Sequence, residues 1–220
     1  MKKLLIPLLC SLLAAWSCNL DSSYYAENVP DIVTVTEHRL INDNGVVYTL
    51  AEKSSENLPD LEEDKRYYIV FDILNQAFQI RLHSVIPVEI KVPEELPEST
   101  EGLGGDPIQV QFAQYGRRYM DLGINCYFAA GSNYARQLKF YYTLENADSQ
   151  LNIHLYNDGN NENPAKMDEK DLKIQSHIIS IPMAKWESIT EVNLSCDVLT
   201  KDATTGEFTI TRRNYQLRYN

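Results

Sequence analysis

Between Phe78 and Val92 apolar side chains recur at every second position. Phe78, Ile80, Leu82, Ile86, Val88, Ile90 and Val92 share one parity, interrupted only by Ser84, while Gln79, Arg81, His83, Glu89 and Lys91 occupy the other. A fifteen-residue alternation of this kind is incompatible with a helix, whose apolar stripe repeats every 3.6 residues. It predicts one long bent strand, or two strands meeting near Ser84 to Pro87, with one buried face and one wet face.

The same reading extends in both directions. Ile32 to Ile41 is rich in Val and Thr, and Asn42-Asp43-Asn44-Gly45 supplies the residues of a tight hairpin before Val46 to Leu50. Arg66 to Leu74 forms a further strand. Five short strands in residues 31–95 suit a small OB-like β-barrel. Residues 96–106, with Pro97, Gly102, Gly104 and Gly105 among acidic side chains, read as a linker. From 107 to 220 seven strands are expected, near 108–115, 118–128, 136–145, 150–157, 172–182, 190–200 and 206–217. Seven antiparallel strands over that length point to an immunoglobulin-like β-sandwich. The predicted fold class is therefore all-β, a small OB-like barrel followed by an immunoglobulin-like sandwich.

The N-terminus carries a different signal. Lys2-Lys3 precedes an apolar stretch from Leu4 to Trp16, the length of a signal-peptide core and too short to span a bilayer. Ala14-Ala15-Trp16-Ser17 then places small residues at −1 and −3 before Cys18, the pattern that lipoprotein processing requires. Residues 1–17 are expected to be a signal peptide, Cys18 the lipidated residue, and 18–30 a polar tether. Without Lys2 and Lys3 the formal charge moves from −11 to −13. Such a surface repels nucleic acid and anionic headgroups, so the membrane contact expected here runs through the N-terminal lipid.

Two cysteines remain beyond Cys18. Cys126 and Cys196 each sit on the apolar parity of a strand, and either a disulfide in an oxidising compartment or a pair of buried thiols fits that placement.

The order of these features carries a resemblance. A lipobox, a small β-barrel, Gly-Gly-Asp-Pro-Ile (104–108), Tyr-Met-Asp-Leu (119–122) and a strand ending Leu155-Tyr156-Asn157-Asp158 together resemble the NigD-like lipoproteins. The resemblance implies an envelope protein of a Bacteroides-type bacterium, with an OB-like domain ahead of a sandwich. The family name derives from a bacteriocin gene cluster, which implies immunity or accessory roles and no catalytic residue. Tyr156 stands where relatives commonly carry His, and His154 lies two positions earlier.

The sequence holds no His-Glu-x-x-His, Gly-x-Ser-x-Gly, phosphate loop, dinucleotide fingerprint or Cys-x-x-Cys. His38, His83, His154 and His177 are scattered without metal-ligand spacing. The run Asn157 to Asn163 offers hard oxygen donors of the kind Ca²⁺ uses, but the same residues are ordinary turn formers. Nucleic acid is excluded as a partner because residues 31–95 carry 6 basic against 13 acidic side chains, the wrong sign for a binding groove. The expectation is a non-enzymatic, cofactor-free and metal-free envelope lipoprotein of the outer membrane that binds another protein. The alternative is a glycan-binding accessory protein that uses its abundant Tyr side chains, among them Tyr67-Tyr68 and Tyr141-Tyr142.

Overall fold

The computed structural model describes residues 26–51, 58–130, 137–159, 171–186, 188–201, 204–205 and 207–219. Cys18, the signal segment and most of the tether lie outside them.

The first domain comprises β1 (Ala26–Thr36), β2 (Arg39–Asn42), β3 (Val47–Leu50), β4 (Arg66–Ile73) and β5 (Gln79–Pro87). They close into a barrel in the order β1-β2-β3-β5-β4, with β4 returning to β1. Only β3 and β5 run parallel. Alternate residues of each strand point inward, and Val33, Val35, Leu40, Tyr48, Ile69, Phe71, Ile80 and Leu82 fill the interior. The expected hairpin at 42–45 is present. Gly45 adopts a left-handed φ of 80°, and the Asn42 side-chain oxygen accepts N–H bonds from Asn44 at 3.1 Å and Val46 at 2.9 Å.

Three details differ from the sequence reading. The strand expected over 32–41 is two strands, because Glu37 and His38 turn the chain with φ of 52° and 61°. The Glu63 carboxylate accepts both of their N–H groups. β1 begins at Ala26, so the last five residues of the expected tether already belong to the barrel. The third difference concerns the long alternation. Val70 pairs with Ser84 but Phe71 pairs with Leu82, leaving His83 as a bulge. One extra residue inverts the side chains that follow it within β5. Val85 packs toward the core, whereas Ile86 is 43 % exposed and Val92 74 % exposed.

The second domain contains β6 (Glu89–Ile90), β7 (Glu94–Glu95), β8 (Ile108–Tyr115), β9 (Tyr119–Ala129), β10 (Gln137–Glu145), β11 (Gln150–Asp158), β12 (Leu172–Pro182), β13 (Glu191–Lys201), β14 (Phe208–Gln216) and β15 (Arg218–Tyr219). The sheet order is β6-β12-β9-β8-β13-β11-β10-β7, with β14 on β13 and β15 on β8. At the join of its two halves, β8 and β13 pair at Ile108 and Val198. The sheet curls there, and both halves contribute to one core: Met120, Leu122, Ile124, Ile179 and Ile181 from one, Leu151, Ile153, Leu155, Val192 and Leu194 from the other.

The architecture is therefore all-β, an OB-like barrel followed by a β-sandwich. Its pairing is not wholly antiparallel. β11 and β13 run parallel because β12, which connects them, crosses to the other half of the sandwich. The segment after the barrel is also more than a connector. Val88 still bonds to Arg66 of the barrel, but β6 adds to β12 and β7 adds to β10, one at each rim of the second sheet.

Candidate functional site

Burial of a charge requires partners, and among the described residues a deeply buried ion pair lies between the two domains. Arg66, at the start of β4, has a side chain only 2 % exposed. Its Nη1 and Nη2 bind the two Asp43 carboxylate oxygens at 2.8 and 3.0 Å, the two-pronged geometry that guanidinium favours. Nη2 also reaches Asp121 of β9 at 3.1 and 3.3 Å. Nε donates to the Ser180 hydroxyl of β12 at 3.0 Å, and Nη1 to Thr34 at 3.3 Å. All five donors are thus used. The Tyr119 ring covers the guanidinium face at 3.7 Å.

Desolvation opposes the Arg66 charge, but the Asp43 bond and the two carboxylate charges outweigh it and raise the pKa further. Burial pushes the Asp121 carboxyl up, against the Arg66 charge and a hydrogen bond from Ser180. A second contact reinforces this junction. Tyr68 of β4 stacks on Phe112 of β8 at 6.3 Å, and Phe112 lies over Gly123, where an added Cβ would fall 2.3 Å from its ring.

Two residues of the junction, Asp43 and Tyr119, line a cleft of about 970 Å³. One wall is the β2–β3 turn, Ile41 to Gly45; the other is the β8–β9 turn, Tyr115 to Tyr119, with Met183, Trp186 and Tyr219. Tyr115 and Tyr219 meet edge to face at 5.4 Å, and the Tyr115 hydroxyl donates to the Thr190 carbonyl at 3.2 Å. Trp186, 7 % exposed, meets Tyr142 edge to face and keeps an indole N–H with no hydrogen-bond partner. Arg117 and Arg118 are exposed at the mouth, and neither guanidinium makes a hydrogen bond or ion pair among the described residues.

The residues singled out from sequence lie elsewhere. Cys126 and Cys196 are both buried thiols, and they do not form a disulfide. Cys126 is opposite Ile108, and Ile108 is opposite Val198 of the Cys196 strand, so a whole strand stands between them. Burial pushes the Cys196 thiol up to about 12, which removes its nucleophilic form. His83 pairs with Asp72 at 2.8 Å and His154 bonds Thr143 at 3.0 Å. In the candidate calcium run, Asp158 is bound to Lys139 at 3.1 Å, and the Gly159 N–H is held by Asp106 at 2.6 Å. Residues 160–163 lie outside the described residues, and among those described no His, Cys, Asp or Glu cluster fits a metal ion. Of the three adjacent Tyr pairs, Tyr24-Tyr25 lies outside the described residues, and the other two leave no exposed ring: Tyr67 is buried, and Tyr68, Tyr141 and Tyr142 are half-buried against aromatic neighbours.

The Arg66 junction and the cleft were not foreseen. Arg66 opens a strand and Asp121 sits on the polar parity of another, which alone reads as solvated. The signal present in sequence was the Arg117-Arg118 pair beside Tyr115 and Tyr119 in a strongly acidic chain.

No family model matches the chain, and no curated protein sequence matches it. Solved structures do match it in three dimensions. A protein of unknown function from Bacteroides vulgatus superposes with a TM-score of 0.61 at 14% identity, covering 86% of this chain and 91% of its own. A protein provisionally assigned as a lipoprotein, from Bacteroides fragilis, gives 0.58 at 9% identity, covering 89% and 99%. A NigD-like immunity protein from Bacteroides caccae gives 0.54 at 16% identity, covering 90% and 99%. The likeness spans both domains, and at these identities it speaks for the fold. In fold, the chain is similar to the NigD-like immunity protein, as its sequence motifs led one to expect.

Proposed function

We propose that the chain is a lipid-anchored protein of the bacterial cell envelope that works by contact, with the interdomain cleft as its contact surface. One observation carries the reading: the Arg66 junction joins the two domains, so the cleft walls form a preorganised surface. The anchor is Cys18, and the side of the outer membrane on which the body works follows from its partner. A protein partner, in an immunity or accessory role, is the first reading. The fold neighbours described as an immunity protein and a provisional lipoprotein support it. A glycan partner is the second, favoured by the rings of Tyr115, Tyr119, Trp186 and Tyr219 around one concavity.

The test has two arms. Palmitate labelling of expressing cells is expected to mark the wild-type chain and to vanish in Cys18→Ser; label retained in that variant removes the anchor. A photo-crosslinking side chain at position 117 is expected to capture a discrete envelope partner in intact cells. The same probe at Thr209, on the exposed β14, is expected to capture none. Equal capture at both positions removes the cleft from the proposal.

A further inference from the structure

We propose that the cleft binds an acidic saccharide, with Arg117 and Arg118 as the carboxylate-binding pair and the exposed Tyr219 ring as the stacking face. This rests on the glycan reading of the same site. Three observations support it, each independent of the others.

The first is charge. The chain carries −11 overall, yet the mouth of this cleft presents two adjacent arginines without an anionic partner among the described residues. The nearby carboxylates are already engaged, because Asp43 and Asp121 both bind Arg66. Among the charged residues that line the cleft, Arg117 and Arg118 stand against Asp43 alone, so the site is locally cationic. Charges elsewhere on the surface are screened beyond roughly 8 Å at physiological salt, so this local balance decides which ligand is attracted.

The second is the wall. Aromatic rings next to guanidinium groups match a pyranose bearing a carboxylate, since the apolar ring face stacks while the acid takes a two-pronged hydrogen bond. Tyr219 is 65 % exposed, so its ring is available to a ligand. Trp186 lines the cleft but is 7 % exposed, so it serves as a reporter of a bound ligand and not as a stacking face.

The third is shape. A cleft of about 970 Å³ lies within the range of small-ligand sites. An acidic peptide shares the charge but has less use for the stacking face, so it serves as the contrasting ligand in the test.

The test uses the lipidated chain in detergent, in which removal of residues 1–17 leaves Trp186 the sole indole. Fragments of polygalacturonate, alginate and hyaluronan are titrated against maltohexaose and hexaglutamate. At least one uronic-acid oligomer is expected to bind saturably and change Trp186 emission. The R117Q/R118Q double variant, altered only at exposed positions, is expected to bind it at least about tenfold more weakly, the loss of a charge-assisted hydrogen bond. Raising the ionic strength from about 0.1 M to about 1 M is expected to weaken binding as well. Saturable binding of none of the three oligomers, equal binding by R117Q/R118Q, or tighter binding of hexaglutamate each overturns the assignment. A protein captured in cells through position 117 while all three oligomers fail would retain the contact function and reject this ligand class.

Discussion

Arg66 and Asp121 stand 55 residues apart in sequence and 3.1 Å apart in space, and their bond joins the barrel to the sandwich. Both side chains are almost wholly buried, at 2 % and 6 % exposure. A paired buried charge becomes a liability when one partner is removed, because the survivor keeps its desolvation cost.

Arg66→Met leaves Asp43 and Asp121 without their shared cation. The expected loss of stability is about 3–5 kcal/mol, measured as a shift in the chemical denaturation midpoint. Adding Asp121→Leu to the same chain is expected to recover part of that loss, since an apolar replacement of the whole pair avoids the stranded charge. Additive losses in the double variant would show that the two residues do not act together.

Gly123→Ala tests the second interdomain contact. Its new methyl group would fall 2.3 Å from the Phe112 ring, forcing that ring off Tyr68. Overpacking of this kind costs about 1–3 kcal/mol. Phe112→Ala is expected to relieve most of the Gly123→Ala penalty, read as a thermal midpoint that no longer responds to the alanine.

Acid sensitivity is expected to arise in the barrel. The Asp72 carboxylate accepts the Asn28 N–H at 3.0 Å and pairs with His83 at 2.8 Å, and these two contacts, in that order, hold its pKa below the ordinary 3.8. A depressed folded-state pKa stabilises the fold above the unfolded-state value, and that stabilisation is lost as pH falls through the folded-state one. Thermal midpoints of the wild-type chain should therefore drop as pH descends below about 4. In Asp72→Asn the drop over the same interval should be smaller. Parallel curves for the two proteins would assign the acid response to other groups.

The thiols give a chemical test. In a C10S/C18S background only Cys126 and Cys196 remain. Both are buried, and the Cys196 thiol titrates near about 12, so neither should react with an aromatic disulfide reagent at pH near 8 in the native state. Two thiols should appear on denaturation. A single mass lacking two hydrogens, resistant to alkylation after unfolding, would instead reveal the bridge.

Local patterning revealed the strands and concealed their meeting points. The strands at 108–115 and 172–182 have the bounds expected, since each is a run of strand-forming residues ended by turn chemistry. The bulge at His83 left no mark, because Ser84 is small enough to be read as either parity. The turn at Glu37 and His38 was hidden as well, as it uses neither Gly nor Asn but a distant Glu63 carboxylate to hold its N–H groups. Asp121 and Gly123 share the polar parity of β9, which alone predicts solvent; the barrel covers that face instead. Pairing across domains is a property of three dimensions, and the cleft is built from such pairings.

The placement of β6 and β7 has a consequence for how this protein can be divided. A sheet of free strands ends in unpaired N–H and C=O groups that invite other chains. Here those rims are finished by residues 89–95, which leave the barrel before either rim strand has been synthesised. A gene cut at residue 96 would yield a sandwich with two raw borders prone to self-association, alongside a barrel trailing two orphaned strips. The unit that evolution can shuffle, or an experimenter can express, is accordingly the pair of domains and not either half.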